Sequence, residues 1–193
     1  MILVESRTQL SDYEHGQPPY GAAGYDEMPF LINRDGGWLY KGSLIKRKTM
    51  VCLFASMLTR DEDGHYLLES PVETVRINVE DAPFVVVDMK WRGLGRKQEV
   101  SFLTNTDECI TVGHMHGLRL ARALPRRDYV PYLHIRNGKG NFPLEARISR
   151  PTYYELAALA EPGIMNGREV MGVWSGGMFF PIDGLALDST TAS

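Results

Sequence analysis

Two arginines carry the first chemical signal in this chain. Arg47 stands two residues before Thr49 and Arg150 two residues before Thr152, and each threonine is spaced to cap a helix. Thr152-Tyr153-Tyr154-Glu155 has the capping-box spacing, with Thr as N-cap and Glu at the third helical position. A helix N-terminus carries positive potential, so a cation there is mildly unfavourable by itself. Lys46-Arg47-Lys48 makes the first case worse. An anion such as a phosphate would turn that liability into a site, using free backbone N–H groups and the guanidinium together. The competing reading is that these cations are solvated or paired with acidic neighbours such as Glu80 and Asp81.

Aromatic residues lie close by in sequence: Trp38 and Tyr40 near the first arginine, Tyr153 and Tyr154 beside the second, and Trp174 near the end. Rings with arginines suit a base-plus-phosphate ligand, although aromatics at strand or helix spacing are more often core. Cys109, His114 and His116 form C-x4-H-x-H, but a zinc site wants a fourth ligand and none is suitably spaced. Ser175, in Gly172-Val173-Trp174-Ser175-Gly176-Gly177, is not the G-x-S-x-G elbow, and no phosphate loop, dinucleotide fingerprint or H-E-x-x-H occurs. Asp61-Glu62-Asp63-Gly64 is a turn, not a catalytic pair. No catalytic residue, metal or cofactor is indicated.

The elements that must position these residues follow from pattern. Residues 11–28 mix Pro, Gly and Tyr without periodicity, a surface arm. Phe30-Leu31-Ile32, Asp35-Gly36-Gly37 and Trp38-Leu39-Tyr40 make a hairpin. Met50, Leu53, Phe54, Met57 and Leu58 predict one buried helix face, ended by Asp61–Gly64. Val75, Ile77 and Val79 alternate with Arg76, Asn78 and Glu80 as a strand with one buried side. Phe84–Trp91 and Val100–Thr104 flank Arg92-Gly93-Leu94-Gly95-Arg96-Lys97, a hairpin with a basic tip, and Ile110–Val112 adds a short strand. Tyr132–Arg136 and Phe142–Ile148 flank Asn137-Gly138, a two-residue hairpin signal. A second helix is expected from Tyr153 to Ala160, stopped by Pro162-Gly163, and a Gly176-Gly177 turn joins Val170–Ser175 to Met178–Ile182.

The pattern repeats. Pro29, Leu31, Arg34 and Gly36 recur as Pro131, Leu133, Arg136 and Gly138. With one residue inserted, Ile45, Arg47, Thr49, Leu53, Ala55 and Gly64 recur as Ile148, Arg150, Thr152, Leu156, Ala158 and Gly167. Phe30/Tyr132, Asp35/Asn137 and Asp63/Asn166 agree in kind. The fold class is therefore α+β, mainly antiparallel sheet, with an internally duplicated hairpin–helix–strand motif. The expected organisation is an N-terminal arm (1–28), a domain holding the first copy (29–82), a larger domain holding the second (83–184) and a frayed tail (185–193). Ala82-Pro83 marks the break.

Composition narrows the function classes. The 193 residues are 44% hydrophobic and 23% charged, with 19 Gly, 11 Pro and 2 Cys, so collagen, disulfide scaffolds and long coiled coils are excluded. A formal charge of -3, from 21 basic and 24 acidic residues, argues against bulk nucleic-acid binding. Lys46-Arg47-Lys48 and Arg126-Arg127 are too short for a nucleic-acid groove and are expected at the surface. The N-terminal MILVESRTQLSDYE lacks the pattern of a secretory signal, and no apolar run approaches a membrane span. Cys52 and Cys109 read as reduced core thiols, so a cytoplasmic setting is expected.

Arg34-Asp35-Gly36-Gly37-Trp38-Leu39-Tyr40-Lys41-Gly42, Pro71-Val72-Glu73, Val79-Glu80-Asp81-Ala82-Pro83-Phe84, Arg150-Pro151-Thr152-Tyr153-Tyr154-Glu155-Leu156 and Val173-Trp174-Ser175-Gly176-Gly177-Met178-Phe179-Phe180-Pro181 resemble a bacterial family known as domain of unknown function 1285. The likeness spans about residues 29–184. It implies two domains with a repeated motif, the C-terminal one resembling a pleckstrin-homology-like fold. It also implies a ligand site for a nucleotide-like molecule at the domain interface, and a role in signal transduction, linked to oxidative stress. The motif residues matched here are Arg34, Trp38, Tyr40, Arg47, Glu80, Asp81, Arg150, Tyr153, Tyr154, Trp174 and Ser175.

The leading expectation is a non-enzymatic module that binds a phosphorylated or nucleotide-like small molecule between its domains. Arg47 and Arg150 would hold the anion, Arg34 with Glu80 and Asp81 would position it, and Tyr153, Tyr154 or Trp174 would stack. The alternatives are a protein–protein interaction module using the same surface, and an enzyme whose titratable cluster the sequence does not reveal.

Overall fold

The computed structural model describes residues 28–123, 128–165 and 167–183. The expectations for the arm before residue 28, for Arg126-Arg127, for Asn166 and for the tail lie outside these. The N-terminal part runs β1 (Phe30–Ile32), β2 (Trp38–Tyr40), β3 (Ser43–Leu44), α1 (Lys48–Met57), β4 (Leu58–Arg60), β5 (Tyr66–Glu69), β6 (Thr74–Arg76) and β7 (Asn78–Val79). The rest runs β8 (Phe84–Arg92), β9 (Glu99–Thr104), β10 (Cys109–Thr111), β11 (Leu118–Ala123), β12 (Asp128–Asn137), β13 (Pro143–Ile148), α2 (Arg150–Ala157), β14 (Glu161–Met165), β15 (Arg168–Ser175) and β16 (Met178–Pro181).

The strands form four sheets, ordered β3-β2-β1-β7, β4-β5-β6, β10-β9-β8-β13-β12-β11 and β14-β15-β16. Pairings are antiparallel except β1 with β7 and β13 with β8. The β1–β2 turn forms as its residues require: Asn33 Oδ1 accepts from the backbone N–H of Asp35 and Gly37, and Gly36 takes φ +78°. One contiguous core runs from Ile32 and Trp38 through Phe84, Leu133 and Leu144 to Val173 and Ile182, so the N- and C-terminal parts bury a common interior. The order of elements recurs. β3, α1 and the meander β4-β5-β6 are followed later by β13, α2 and the meander β14-β15-β16, with left-handed Gly64 (φ +86°) and Gly167 (φ +74°) between the first two strands of each meander.

Several local expectations are corrected. Helix α1 buries Val51 and Ala55, while Met50 and Leu53 point outward, 38% and 57% exposed, and Leu58 belongs to β4. The small Ala55 and β-branched Val51 allow close approach to the core, so the helix is rotated from the face that its larger residues suggest. Asp61–Gly64 links β4 to β5 rather than ending the helix. The N-caps are Arg47 and Ser149, not Thr49 and Thr152. Pro151, with its preset φ, sits in the first turn of α2, so that helix starts at Arg150 and Thr152 is inside it, 2% exposed, with its hydroxyl 2.9 Å from Ser149 Oγ. Pro162 and Gly163 are part of β14 rather than a stop after α2.

The run Thr74–Val79 is two strands in two sheets, turning at buried Ile77, so Asn78 is buried along with its neighbours. Neither cysteine is in the core: Cys52 is half-buried and Cys109, on the edge strand β10, is exposed, both as free thiols.

The expected two-residue turn at Asn137-Gly138 is instead a longer connection, closed by Gly138 N–H to Phe142 O at 2.8 Å. The cause is tertiary. Gly138 lies flat against β4, and a Cβ on it would stand 2.7 Å from Arg60 N and 2.9 Å from Arg60 O. Gly138→Ala is therefore expected to destabilise the protein by about 1–3 kcal/mol through overpacking against rigid backbone, read as a lowered urea midpoint at unchanged slope.

Candidate functional site

The β11–β12–β13 face builds a row of polar side chains by register. Arg119 pairs with Tyr132, and Tyr132 with Arg147, so their side chains stand side by side across three strands. The Arg119 guanidinium lies 4.7 Å from the Tyr132 ring centroid and forks onto both carboxylate oxygens of Glu145. Where the chain leaves β7 for β8, Glu80 and Asp81 meet this row. The Tyr132 hydroxyl donates to Asp81 Oδ1 at 2.6 Å, and Arg147 Nε stands 3.4 Å from Asp81 Oδ2. That Nε is buried and has no aligned hydrogen-bond acceptor, so its link to Asp81 is an ion pair only.

From the N-terminal part comes Arg34, positioned by the β1–β2 turn. Its backbone N–H donates to Glu80 Oε2 at 2.9 Å, and its Nε stands 3.9 Å from Asp81 Oδ2. The Asp81 side chain is 11% exposed and that of Arg34 67%. Buried Tyr66 of β5 completes the wall. Burial pushes its phenol up to about 12, partly countered by the Arg60 cation, whose guanidinium stacks 4.6 Å from the ring. The Tyr132 phenol is also raised, by burial first and then by its hydrogen bond to the Asp81 carboxylate.

The structure gathers three of the expected residues, Arg34, Glu80 and Asp81, and disperses the others. Arg47 and Arg150 are exposed at the starts of α1 and α2, and neither has an ion pair or side-chain hydrogen bond among the described residues. Neighbouring Lys48 pairs with Asp107 at 3.0 Å rather than with Glu80 or Asp81. Trp38 is core, 1% exposed and stacked on Phe54. Tyr40 packs on Phe30 with 43% of its surface in solvent. The half-buried Tyr153 holds the segment after β16, donating to Ile182 O at 2.7 Å, whereas Tyr154 is 65% exposed. Trp174 lies 4.9 Å under the Arg96 guanidinium. Ser175, fully buried, uses its hydroxyl between strands: it donates to Val112 O at 2.7 Å and accepts from Val100 N–H at 2.9 Å. In this arrangement it links strands, its one donor spent on Val112 O.

Sequence reasoning missed Arg119, Tyr132, Glu145 and Arg147. The available signal was the period-two alternation in Leu118-Arg119-Leu120 and Leu144-Glu145-Ala146-Arg147-Ile148, which marks a sheet face bearing charges. Among the described residues, one group could gather three metal-ligand atoms, Asp61, Asp63 and His65, within 4.8 Å. Burial raises the Asp61 carboxyl, but hydrogen bonds from the backbone and side chain of His65 outweigh it and hold it low. These bonds already close the β4–β5 turn. Cys109, His114 and His116 form no such group.

Comparison with known proteins gives a consistent set of likenesses. Residues 20–82 match the family model described as "Domain of unknown function (DUF1285), N-terminal domain", and residues 83–182 that described as "Protein of unknown function (DUF1285), C-terminal domain". A crystal structure of a DUF1285 family protein from Silicibacter pomeroyi DSS-3 is 40% identical with a TM-score of 0.72, over 83% of each chain. One from Shewanella baltica OS155 is 28% identical with a TM-score of 0.50, over 67% of this chain and 91% of that one. No curated protein matches.

The phenol cluster sets a pH dependence. The Tyr66 phenol ionises near 10.0 when unperturbed and near 12 in the folded chain, so the folded state holds its proton more tightly. Stability from this group is complete below pH 10 and is lost as pH rises toward 12, with Tyr132 acting in the same direction. Chemical denaturation across that window should show the decline, and Tyr66→Phe should make it shallower. Asp81→Ala, which removes the acceptor of the Tyr132 hydroxyl at 2.6 Å and the counter-ion of Arg147, should lower stability at neutral pH by about 1–3 kcal/mol.

Proposed function

This chain belongs to the DUF1285 family, and from the site we propose a non-enzymatic ligand-binding module that takes a phosphorylated or nucleotide-like small molecule where its N- and C-terminal parts meet. The observation that carries this reading is the state of Arg34. Its backbone is held by the Glu80 contact, yet 67% of its side chain is in solvent and its only ion pair among the described residues, to Asp81, is long at 3.9 Å. An exposed pair of that length contributes little, so a phosphate forked onto the guanidinium would displace it at small cost. Asp81 would keep Tyr132 and Arg147.

Arg47 and Arg150 support the reading as exposed cations without counter-ions among the described residues, each at the positive end of a helix. The recurring order of elements supports an internal duplication, in which these two arginines are matched positions. A ligand bridging Arg34 and the C-terminal part would stiffen the junction, which suits a role in signal transduction or stress response in a bacterial cytoplasm. The pleckstrin-homology-like character of residues 83–184 is part of this proposal and rests on the family resemblance.

The test is a thermal-shift panel of inorganic phosphate, nucleotides, dinucleotides and sugar phosphates against the full chain. A ligand at ~100 times its dissociation constant adds ~2.7 kcal/mol of stability, an easily read rise in melting temperature. A selective rise that Arg34→Ala abolishes is expected. A flat panel, or a rise that survives Arg34→Ala unchanged, overturns the assignment.

A further inference from the structure

Three turns converge at one end of the six-stranded sheet, away from the Arg34 site. The first is the β8–β9 tip. There Gly93 (φ +78°) and Gly95 (φ +52°) hold Leu94 between two left-handed residues, and a Cβ on Gly93 would stand 2.4 Å from Lys97 O. The second is the β15–β16 turn, bound to the first by Gly176 N–H to Gln98 O at 3.1 Å and Gln98 Nε2 to Trp174 O at 2.9 Å. The third is the turn after β10, closed between Gly113 and His116 and tied to the second by Ser175 Oγ donating to Val112 O. Each turn holds a large apolar side chain in water: Leu94 is 83% exposed, Met115 73% and Met178 39%, with Trp91 at 51% on the strand leading to the tip.

Charge at this end opposes that of the whole chain. Residues 88–104, 112–117 and 174–179 carry Lys90, Arg92, Arg96 and Lys97 against two acids, Asp88 and Glu99, although the chain as a whole is at -3. Glu99 is already held by Arg92, and Arg96 lies over the Trp174 ring. Lys90 and Lys97 are exposed and have no ion pair among the described residues. Apolar tips surrounded by cations, with a tryptophan set back from the apex, match the layering of a bilayer surface: acyl boundary, headgroup level and anionic phosphate.

We propose that this end docks the protein peripherally on an anionic phospholipid surface, with Leu94 and Met115 entering the headgroup boundary and Lys90 and Lys97 meeting lipid phosphates. Leucine and methionine are poor stacking platforms for bases, and the chain's overall acidity disfavours nucleic acid, so a lipid surface is the better match. No helix among the described residues is long and apolar enough to cross a membrane, and docking of this kind needs none.

The experiment is co-sedimentation of the full chain with sucrose-loaded vesicles of phosphatidylcholine, with and without phosphatidylglycerol. Binding should require phosphatidylglycerol, weaken with added salt and fall about fivefold for each charge removed in Lys90→Gln and Lys97→Gln. Leu94→Ser with Met115→Ser should reduce it further while leaving the melting temperature unchanged, since both side chains are in solvent. Trp91 emission should move to shorter wavelength on anionic vesicles, a change missing in Trp91→Phe. Sedimentation equal with and without phosphatidylglycerol overturns the proposal, as do variants that bind like wild type or an affinity for oligonucleotides or acidic peptides in place of vesicles. None of these readouts depends on Arg34, so the small-molecule reading stands or falls separately.

Discussion

A carboxylate nearly removed from water must be answered by donors, and Asp81 draws its answer from both parts of the chain. Its side chain is 11% exposed and sits where the chain crosses from β7 to β8. Tyr132 and Arg147 reach it from two neighbouring strands of the large sheet, and Arg34 from the first hairpin. Losing Tyr132 or Arg147 would leave a nearly buried charge with less compensation and is costly, whereas the long, exposed contact to Arg34 contributes little. The register of β12 on β13, the position of the β1–β2 turn and the path of the crossover are therefore coupled through one side chain.

Two more guanidiniums hold the same junction from inside. Arg60, 8% exposed, donates to Gly64 O at 2.8 Å and Pro143 O at 3.0 Å and lies between the Tyr66 and Phe142 rings. Arg136 donates to Ala55 O at 2.7 Å, a carbonyl at the end of α1 that also accepts the Leu58 N–H, and stacks over Phe84. Both join the N-terminal part to β12 and β13, over the continuous core. Arg34 and Arg136 are matched positions in the proposed duplication with opposite fates. One guanidinium became a half-buried structural donor, while the other stayed largely in water beside a carboxylate.

The two surfaces lie toward opposite ends of β8. Asp81, at the Arg34 site, leads into its first residue, whereas the basic tip follows its last, and the turn that carries Met115 is tied to β12 through His134 Nδ1, 3.0 Å from Met115 O. Ser175, taken from sequence as a ligand residue, belongs to the second of these regions. Its two hydrogen bonds hold the β15–β16 turn on the sheet end, which brings the three exposed apolar residues together.

Both helices, the β8–β9 hairpin with its basic tip and the Gly176-Gly177 turn were legible in the sequence. Hydrophobic period and glycine chemistry are properties of windows of about ten residues and act wherever the window lies. The rotation of α1 and the longer turn at Gly138 were not legible, because in each a neighbour distant in sequence overrode the local preference, whereas the start of α2 follows from Pro151, a local signal. The same division runs through the site. Sequence alone determined that arginines and acids would lie near turns and helix starts. Only tertiary structure decided which charges are compensated: Asp81 finds Tyr132 across 51 residues of chain, whereas Arg47 and Arg150, more conspicuous in sequence, are exposed and find no ion pair among the described residues. Charge is a property of a residue, but burial and pairing are properties of what packs against it.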